Sequence, residues 1–600
     1  MAAPHQQHAT AFPDDSEAAN ARRLNHDQQQ ADVDDLPGTI RIFSEYDVDE
    51  NGNKSLILNP TPTDSPNDPL NWSLVRKTWS ASLVLFITAL TAATSNSAGA
   101  AGTVLVDDYG IGWGVQNTAA GVLFIGIGYC TLLLSSAPWL YGRRISYLIC
   151  LCFSIVGAAW FASTQNKTDT ILCQLFVGAS ESVAEATVQL SLMDLFFQHQ
   201  RGSVLGIYVL ATSVGTFLGP LISGYIADSA LGWRWMGWFA VIISGVTLLV
   251  FALGLEETAF ERDIYLGIST SHQGSREEIG ASNTAPKVIH PTDKGAEHLG
   301  SVAGSEKTFD HATLAPTAAE SQSTHNPKHT NNMVSNGTDM TKKSYLKRVA
   351  LITPSPSLRG LGVKQYIMRT IHTVRLFWFP ALIYSGLQWG AQDAWLSFYL
   401  TVEDDNWTSA PYNYGDAADA IMLVPTLIGS VIGCVYGGWF SDVFVRWCAR
   451  RNGGVSEAEH RLWLMFPPGI LSPIGLFLFG IGTDRVWAWG APYVGLGFIG
   501  FGWGCAGDLS MAYLMDAYPD AVLEGMVGVS VINNSLACIF TFVCSIWLDD
   551  HSVTQVFVTL GILSFVFMVL FTIPMMWFGK DCRRWTRDAY RAYLIRRADQ

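Results

Sequence analysis

Two glutamates four residues apart, Glu181 and Glu185, lie in the otherwise apolar stretch LFVGASESVAEATVQLSLMDLFF (175–197). On a helix Gln174, Glu181, Glu185 and Gln189 share one stripe and Phe176, Val183 and Leu190 lie opposite, so the two acids point the same way. A carboxylate inside a bilayer is costly, and it marks a substrate or ion path unless a basic partner meets it. No Lys or Arg stands in the middle of any apolar block of this chain. Two carboxyl groups sharing a face away from water do not both carry charge, which makes one of them a candidate proton carrier. Asp393 in GLQWGAQDAWLSF and Asp508 in GWGCAGDLSMAYL are two further acids of the same kind. All 13 histidines lie outside the block centres, so proton traffic falls to carboxylates. Uncompensated acids also suit a cationic or amine-bearing substrate that competes with the proton. Gln388, Gln392 and Trp389, with Thr88, Thr91 and Ser95 along one face of the first block, would add hydrogen bonds and a flat apolar surface.

Side chains of this kind need membrane helices to hold them. The 600 residues are 49% hydrophobic, with mean hydropathy +0.22. Their apolar residues come in blocks of about 20, the length that crosses a bilayer core as a helix. Twelve such blocks are expected at 79–104, 117–140, 145–164, 170–197, 203–227, 233–255, 375–400, 417–441, 462–482, 487–514, 525–547 and 553–578. The fold class is an all-α membrane protein of two pseudo-symmetric six-helix bundles, 76–257 and 375–579. Flanking them are expected a disordered tail (1–75), a disordered central loop (258–374) and a basic tail (580–600). Arg76, Lys77, Arg143, Arg144, Arg201, Arg446, Arg450, Arg451 and Arg461 fall in alternate loops, and Asp107, Asp108, Glu403, Asp405, Asp549 and Asp550 in the others. By the positive-inside rule both termini are cytoplasmic, most simply at the plasma membrane. Sequons at Asn166 and Asn406 then lie outside, as possible glycosylation sites.

The net charge of −14 reflects acids in the tail and short loops, and gives no sign of a nucleic-acid partner. The ten cysteines sit in apolar blocks or basic loops, not in a disulfide framework. Six histidines of the central loop, His272, His290, His298, His311, His325 and His329, match no metal-ligand spacing. No zinc triad, nucleophile elbow or phosphate loop is present, so an enzyme, a cofactor and a metal site are not expected.

SAPWLYGRRISYL after the second block and GGWFSDVFVRWCARRNGG after the eighth place Gly and paired arginines equivalently, a sign of internal repetition. The fifth block carries Gly215, Gly219, Pro220 and Gly224, whose spacing permits close helix approach and a bend. GxxxGPxxxG here, YGRR after block two, DLFFQHQRG ending block four, NDPLNWS before block one, and RRNGG with EHRLW after block eight closely resemble fungal major facilitator transporters of the twelve-span drug:proton antiporter type. The resemblance covers about residues 67–595 and implies export through a cavity between two six-helix bundles. It also points to Glu185 as the proton site. The family's loop motif has an acid three positions before its Gly; here Trp139 precedes Gly142, whereas the second copy keeps Asp442. Arg143 and Arg144 are then placed to pair with Asp194, and with Arg201 and Asp442 they form the expected gate.

The resulting expectation is a monomeric, proton-coupled exporter of small organic compounds, with protons, a small-molecule substrate and lipid as its partners. Import of a nutrient cation or polyamine by proton symport is the alternative among transporters, and a non-transporting nutrient receptor the alternative from another class. A receptor would need its tail or central loop as a signalling module. Deleting residues 270–340 is therefore expected to leave transport largely intact, measured as flux per molecule at the membrane. Lost flux at normal surface expression would instead give the central loop a regulatory role.

Overall fold

The computed structural model describes residues 36–48, 54–56, 58–260, 262, 342–415, 418 and 420–599. Twelve long helices follow one another: α1 (Leu74–Tyr109), α2 (Trp113–Leu140), α3 (Arg143–Ala162), α4 (Lys167–Leu195), α5 (Gln198–Ala227), α6 (Arg234–Gly254), α7 (Pro380–Val402), α8 (Leu423–Arg451), α9 (Ala458–Asp484), α10 (Gly490–Ala517), α11 (Val522–Asp550) and α12 (Val553–Arg597). Ten of them are long and apolar enough, by length and composition, to cross a membrane. The other two, α7 and α10, have 23 and 28 residues; α7 is diluted by Gln388, Gln392 and Asp393, and α10 by its glycines.

The same packing scheme recurs in α1–α6 and α7–α12. In the first half α2 and α3 pack on α4, α1 on α5 and α3 on α6; in the second, α8 and α9 pack on α10, α7 on α11 and α9 on α12. The halves meet along two equivalent seams, α2 against α11 and α5 against α8. Lipid supplies no hydrophobic drive between helices, so their association depends on close approach at small residues. A Cβ on Gly178 of α4 would overlap the Leu123 carbonyl of α2, and one on Gly429 of α8 would overlap the Gly497 carbonyl of α10. In α5, Gly215 lies against the Ala89 carbonyl and Gly219 against Ala93 of α1. Pro220 donates no backbone hydrogen bond, and a π-helical turn over Val214–Leu218 takes up the resulting misfit.

Three expectations change. The tail is not featureless: β1 (Thr39–Arg41) pairs antiparallel with β4 (Val455–Glu457), and β2 (Phe43–Val48) with β3 (Lys54–Leu56). Of the central loop, residues 258–260, 262 and 342–374 are described and include a helix, Val363–Val374; the six histidines fall outside the described residues. The basic C-terminal segment continues α12 as a helix because its side chains are held. Arg583 donates to Glu459 Oε1 and Oε2 at 2.8 and 2.6 Å and to Thr39 Oγ1 at 3.0 Å, and Tyr593 donates to Glu524 at 2.5 Å. Both described ends of the chain thus lie on one face, called here the terminal face.

Gly429→Val is expected to push α8 off α10, destabilising the protein by about 3 kcal/mol, the upper range for overpacking. A lower melting temperature in detergent would show it; an unchanged one would mean that the seam has slack.

Candidate functional site

Three of the acids converge. Glu181 is buried in α4, and Glu185, one turn on, sits in a π-helical turn over Ala184–Val188. Such turns widen the helix and occur often at functional sites. Glu181 faces Ser95 of α1, and Glu185 faces Ser530 of α11. Both lie within electrostatic reach of Asp393, which α7 brings in from the other half. Asp393 Oδ1 accepts from Trp503 Nε1 at 2.9 Å, and its carboxyl also faces Asn533. Trp503 packs against Trp389 with ring centroids 4.6 Å apart and planes tilted by 49°, and it meets Phe217 edge-on. Among the described residues no lysine or arginine pairs with any of the three carboxyls. The result is an acidic, aromatic-walled site shared between the halves. Gln189, on the same stripe of α4, donates to Met511 Sδ at 3.5 Å across the same interface.

Other expected cavity residues lie elsewhere. Gln388 donates to the Phe567 carbonyl and Gln392 to Met568 Sδ at 3.3 Å, so both turn toward α12 and away from the acids. They are four residues apart and so share one face of α7, and that face packs against α12. Thr88 and Thr91 return their hydroxyls to their own helix, at Val84 and Ile87. Asp508 is also apart, at the crossing of α10 with α5 and α8, where Gly206, Gly437 and Gly438 surround its carboxyl.

A second charged cluster lies at the terminal face. Arg143 Nε stands 3.3 Å from Asp194 Oδ2, and its guanidinium lies over Trp139 at 4.5 Å. That pair is internal to the first half. Arg144 turns to the carbonyls of Val349 and Ala252 rather than to Asp194, while Glu257 accepts from the backbone N–H groups of both arginines at 3.0 and 3.2 Å. The links between halves are Arg201, which donates to the Met515 carbonyl at 2.8 Å and lies 3.8 Å from Asp516, and Asp442. Asp442 accepts from the backbone N–H groups of Gly202 and Ser203 at 3.0 and 2.7 Å and from the Ser203 hydroxyl at 2.7 Å, so it caps α5 from the other half. Arg461 holds Asp442 and Asp516 together, at 2.9 and 2.6 Å.

Arg461 and Asp516 carry a repeat that is visible in the sequence when the two halves are compared. LMD at 192–194 recurs at 514–516, so Arg461–Asp516 is the second-half copy of Arg143–Asp194. At the position equivalent to Asp442, Trp139 lies between Arg143 and Arg597, the latter at 5.0 Å from its ring. Of the sequon residues, Asn166 caps α4, accepting from Asp169 N at 2.9 Å, and Asn406 lies in the turn Glu403–Trp407.

Twelve helices in two like halves, with a polar site between them and ion pairs at one end, define a polytopic membrane transporter. The chain belongs to the Major Facilitator Superfamily, whose family model matches residues 82–542. It is 48% identical over 578 residues to an uncharacterised MFS-type transporter of Schizosaccharomyces pombe, covering 94% of this chain and 95% of that one. It is 46% identical over 570 residues to Protein HOL1 of Saccharomyces cerevisiae, covering 93% and 97%. An MFS antiporter of Candida albicans, QDR3, is 23% identical over 73% of this chain and 69% of its own. Among solved structures, the proton:xylose symporter XylE matches with a TM-score of 0.51 at 13% identity, over 84% of this chain and 97% of that one, a likeness of fold. The protein is thus a membrane transporter of small molecules and not an enzyme.

Asp442→Ala removes both the cap on α5 and one arm of the Arg461 bridge. It is expected to weaken the contacts between the halves at the terminal face by about 2 kcal/mol and so to change turnover in vesicles more than the half-saturation concentration. Equal changes in both would place Asp442 in substrate binding instead.

Proposed function

We propose that this transporter is proton-coupled and exports small organic compounds, preferentially ones bearing a protonated amine, by alternating exposure of the site between its halves. The observation that carries the reading is the convergence of Glu181, Glu185 and Asp393 from both halves, with no basic partner among the described residues. Charge that is not neutralised by the protein is neutralised by what the protein carries, and protons and organic cations both serve. Competition for one set of carboxyls then couples their fluxes: binding of the cation expels the proton, and the reverse. The tilted pair Trp389 and Trp503 next to Asp393 supplies aromatic surface for a cation or an apolar body. The Gly-Pro segment of α5 and its resemblance to antiporters support export, with the terminal face cytoplasmic in the plasma membrane.

Import of a nutrient cation or polyamine by symport is a second reading, favoured by one feature of the site: three neighbouring acids match a ligand with several ammonium groups better than one with a single charge. Vesicles of defined orientation loaded with labelled amines separate the two, since an acid exterior drives efflux in one case and uptake in the other.

Glu185 is assigned as the proton carrier, because it faces both other acids and is the more exposed of the α4 pair. Glu185→Gln keeps the size and hydrogen-bonding capacity but cannot ionise. It is expected to reach the membrane and to exchange substrate for substrate, while losing accumulation driven by a pH gradient. Retained uphill transport with the wild-type pH dependence would move the proton to another group.

A further inference from the structure

Asp508 presents a problem that the cavity does not solve. Its side chain is 0% exposed, and neither carboxyl oxygen has a hydrogen-bond partner. The helices around it approach through glycine. A Cβ on Gly206 of α5 would stand 2.9 Å from Asp508 Oδ2, and Cβ atoms on Gly437 and Gly438 of α8 would stand 3.1 and 3.0 Å from it. A carboxylate left so in a low-dielectric interior, without donors, is untenable, whereas a neutral acid at the same place costs far less. The titratable groups around it are Cys434 and Asp442 from α8, Cys505 from α10 itself and Arg461 from the start of α9. Among the described residues α5 and α7 bring none to it. The single cation in this set is Arg461, the residue that bridges Asp442 to Asp516 at the terminal face.

We propose that Asp508 is a proton-binding site of the gate, separate from the cavity carboxyls. With its proton on, Asp508 makes no claim on Arg461, and the bridge to Asp442 and Asp516 holds α5 capped. When the Oδ–H bond breaks and the proton leaves for solvent, the remaining carboxylate draws on Arg461, the Asp442 arm weakens, and the cap on Gly202 and Ser203 loosens. Proton release and opening of the terminal face thereby become one event, whichever way the substrate moves. This rests on the proton-coupled reading above and adds the residue that transmits the proton to the gate.

The test is hydrogen exchange, followed by mass spectrometry, of the Gly202–Ser203 amides in the full chain in lipid nanodiscs, from about pH 5 to about pH 8, with the intrinsic pH dependence of exchange divided out. One titrating proton gives a slope of about tenfold in opening per pH unit. The wild type is expected to lose protection with that slope as pH rises, and Asp508→Asn, nearly isosteric and always neutral, to stay protected at every pH. Asp508→Glu is expected to keep the slope with a moved midpoint, and it serves if thermal melting shows that Asp508→Asn has not folded. Glu185→Gln is expected to keep the wild-type slope even where it has lost gradient-driven transport, so failure of the cavity assignment and failure of this one read differently. A flat wild-type profile, a wild-type slope in Asp508→Asn, an unmoved midpoint in Asp508→Glu, or a slope abolished by Glu185→Gln would each overturn the proposal.

Discussion

A charge that cannot reach water has to be paired, bonded or given up, and this constraint divides the acids of the protein into two populations. Near the terminal face, Asp194, Asp442, Asp516, Glu257 and Glu459 are met by arginines or by the N–H groups that begin a helix. In the interior, Glu181, Glu185, Asp393 and Asp508 meet serine, asparagine, tryptophan or glycine, and among the described residues no cation pairs with them. The first population holds elements in place. The second is in deficit of positive charge, and a transporter can fill that deficit with its cargo.

Repetition and departure from it both shape the terminal face. Each half starts its third helix with an arginine that meets the aspartate of an LMD sequence ending its fourth. The repeat breaks where Trp139 stands at the position of Asp442. On one seam a carboxylate caps α5 across the halves; on the other an indole lies between Arg143 and Arg597, the latter supplied by the extended α12. Two seams built from unlike contacts need not yield together when the halves rock, because a charged cap and a stacked ring lose their contacts over different distances.

The membrane helices were legible because span length and the charge of loops are set locally by the bilayer, and the expected ends mostly fall within a few residues of the observed ones. The carboxylate stripe of α4 was legible for the same reason, since helical spacing alone puts Glu181 and Glu185 on one face. Rotation about a helix axis was not. Gln388 and Gln392 flank Trp389 and Asp393 in sequence, yet packing turns the glutamines to α12 and Asp393 to α4. Nor was β1, whose hydrogen-bond partners lie in a loop of the second half, so that nothing in its own residues betrays a strand. Arg461 and Asp516 had a signal, the doubled LMD, but reading it requires comparing the halves before naming either.

The pairing of β1 with β4 also has a history in time. Thr39–Arg41 is made early in translation, and Val455–Glu457 about 400 residues later. At the usual pace of synthesis the strand waits about 20 to 80 seconds for its partner, while α1–α8 enter the membrane. Arg583, which donates to Thr39 and to Glu459, arrives later still. The strand pair at the terminal face therefore cannot form until synthesis has passed the eighth helix, and a chain arrested or truncated before that point would carry an open edge where the finished one has a sheet.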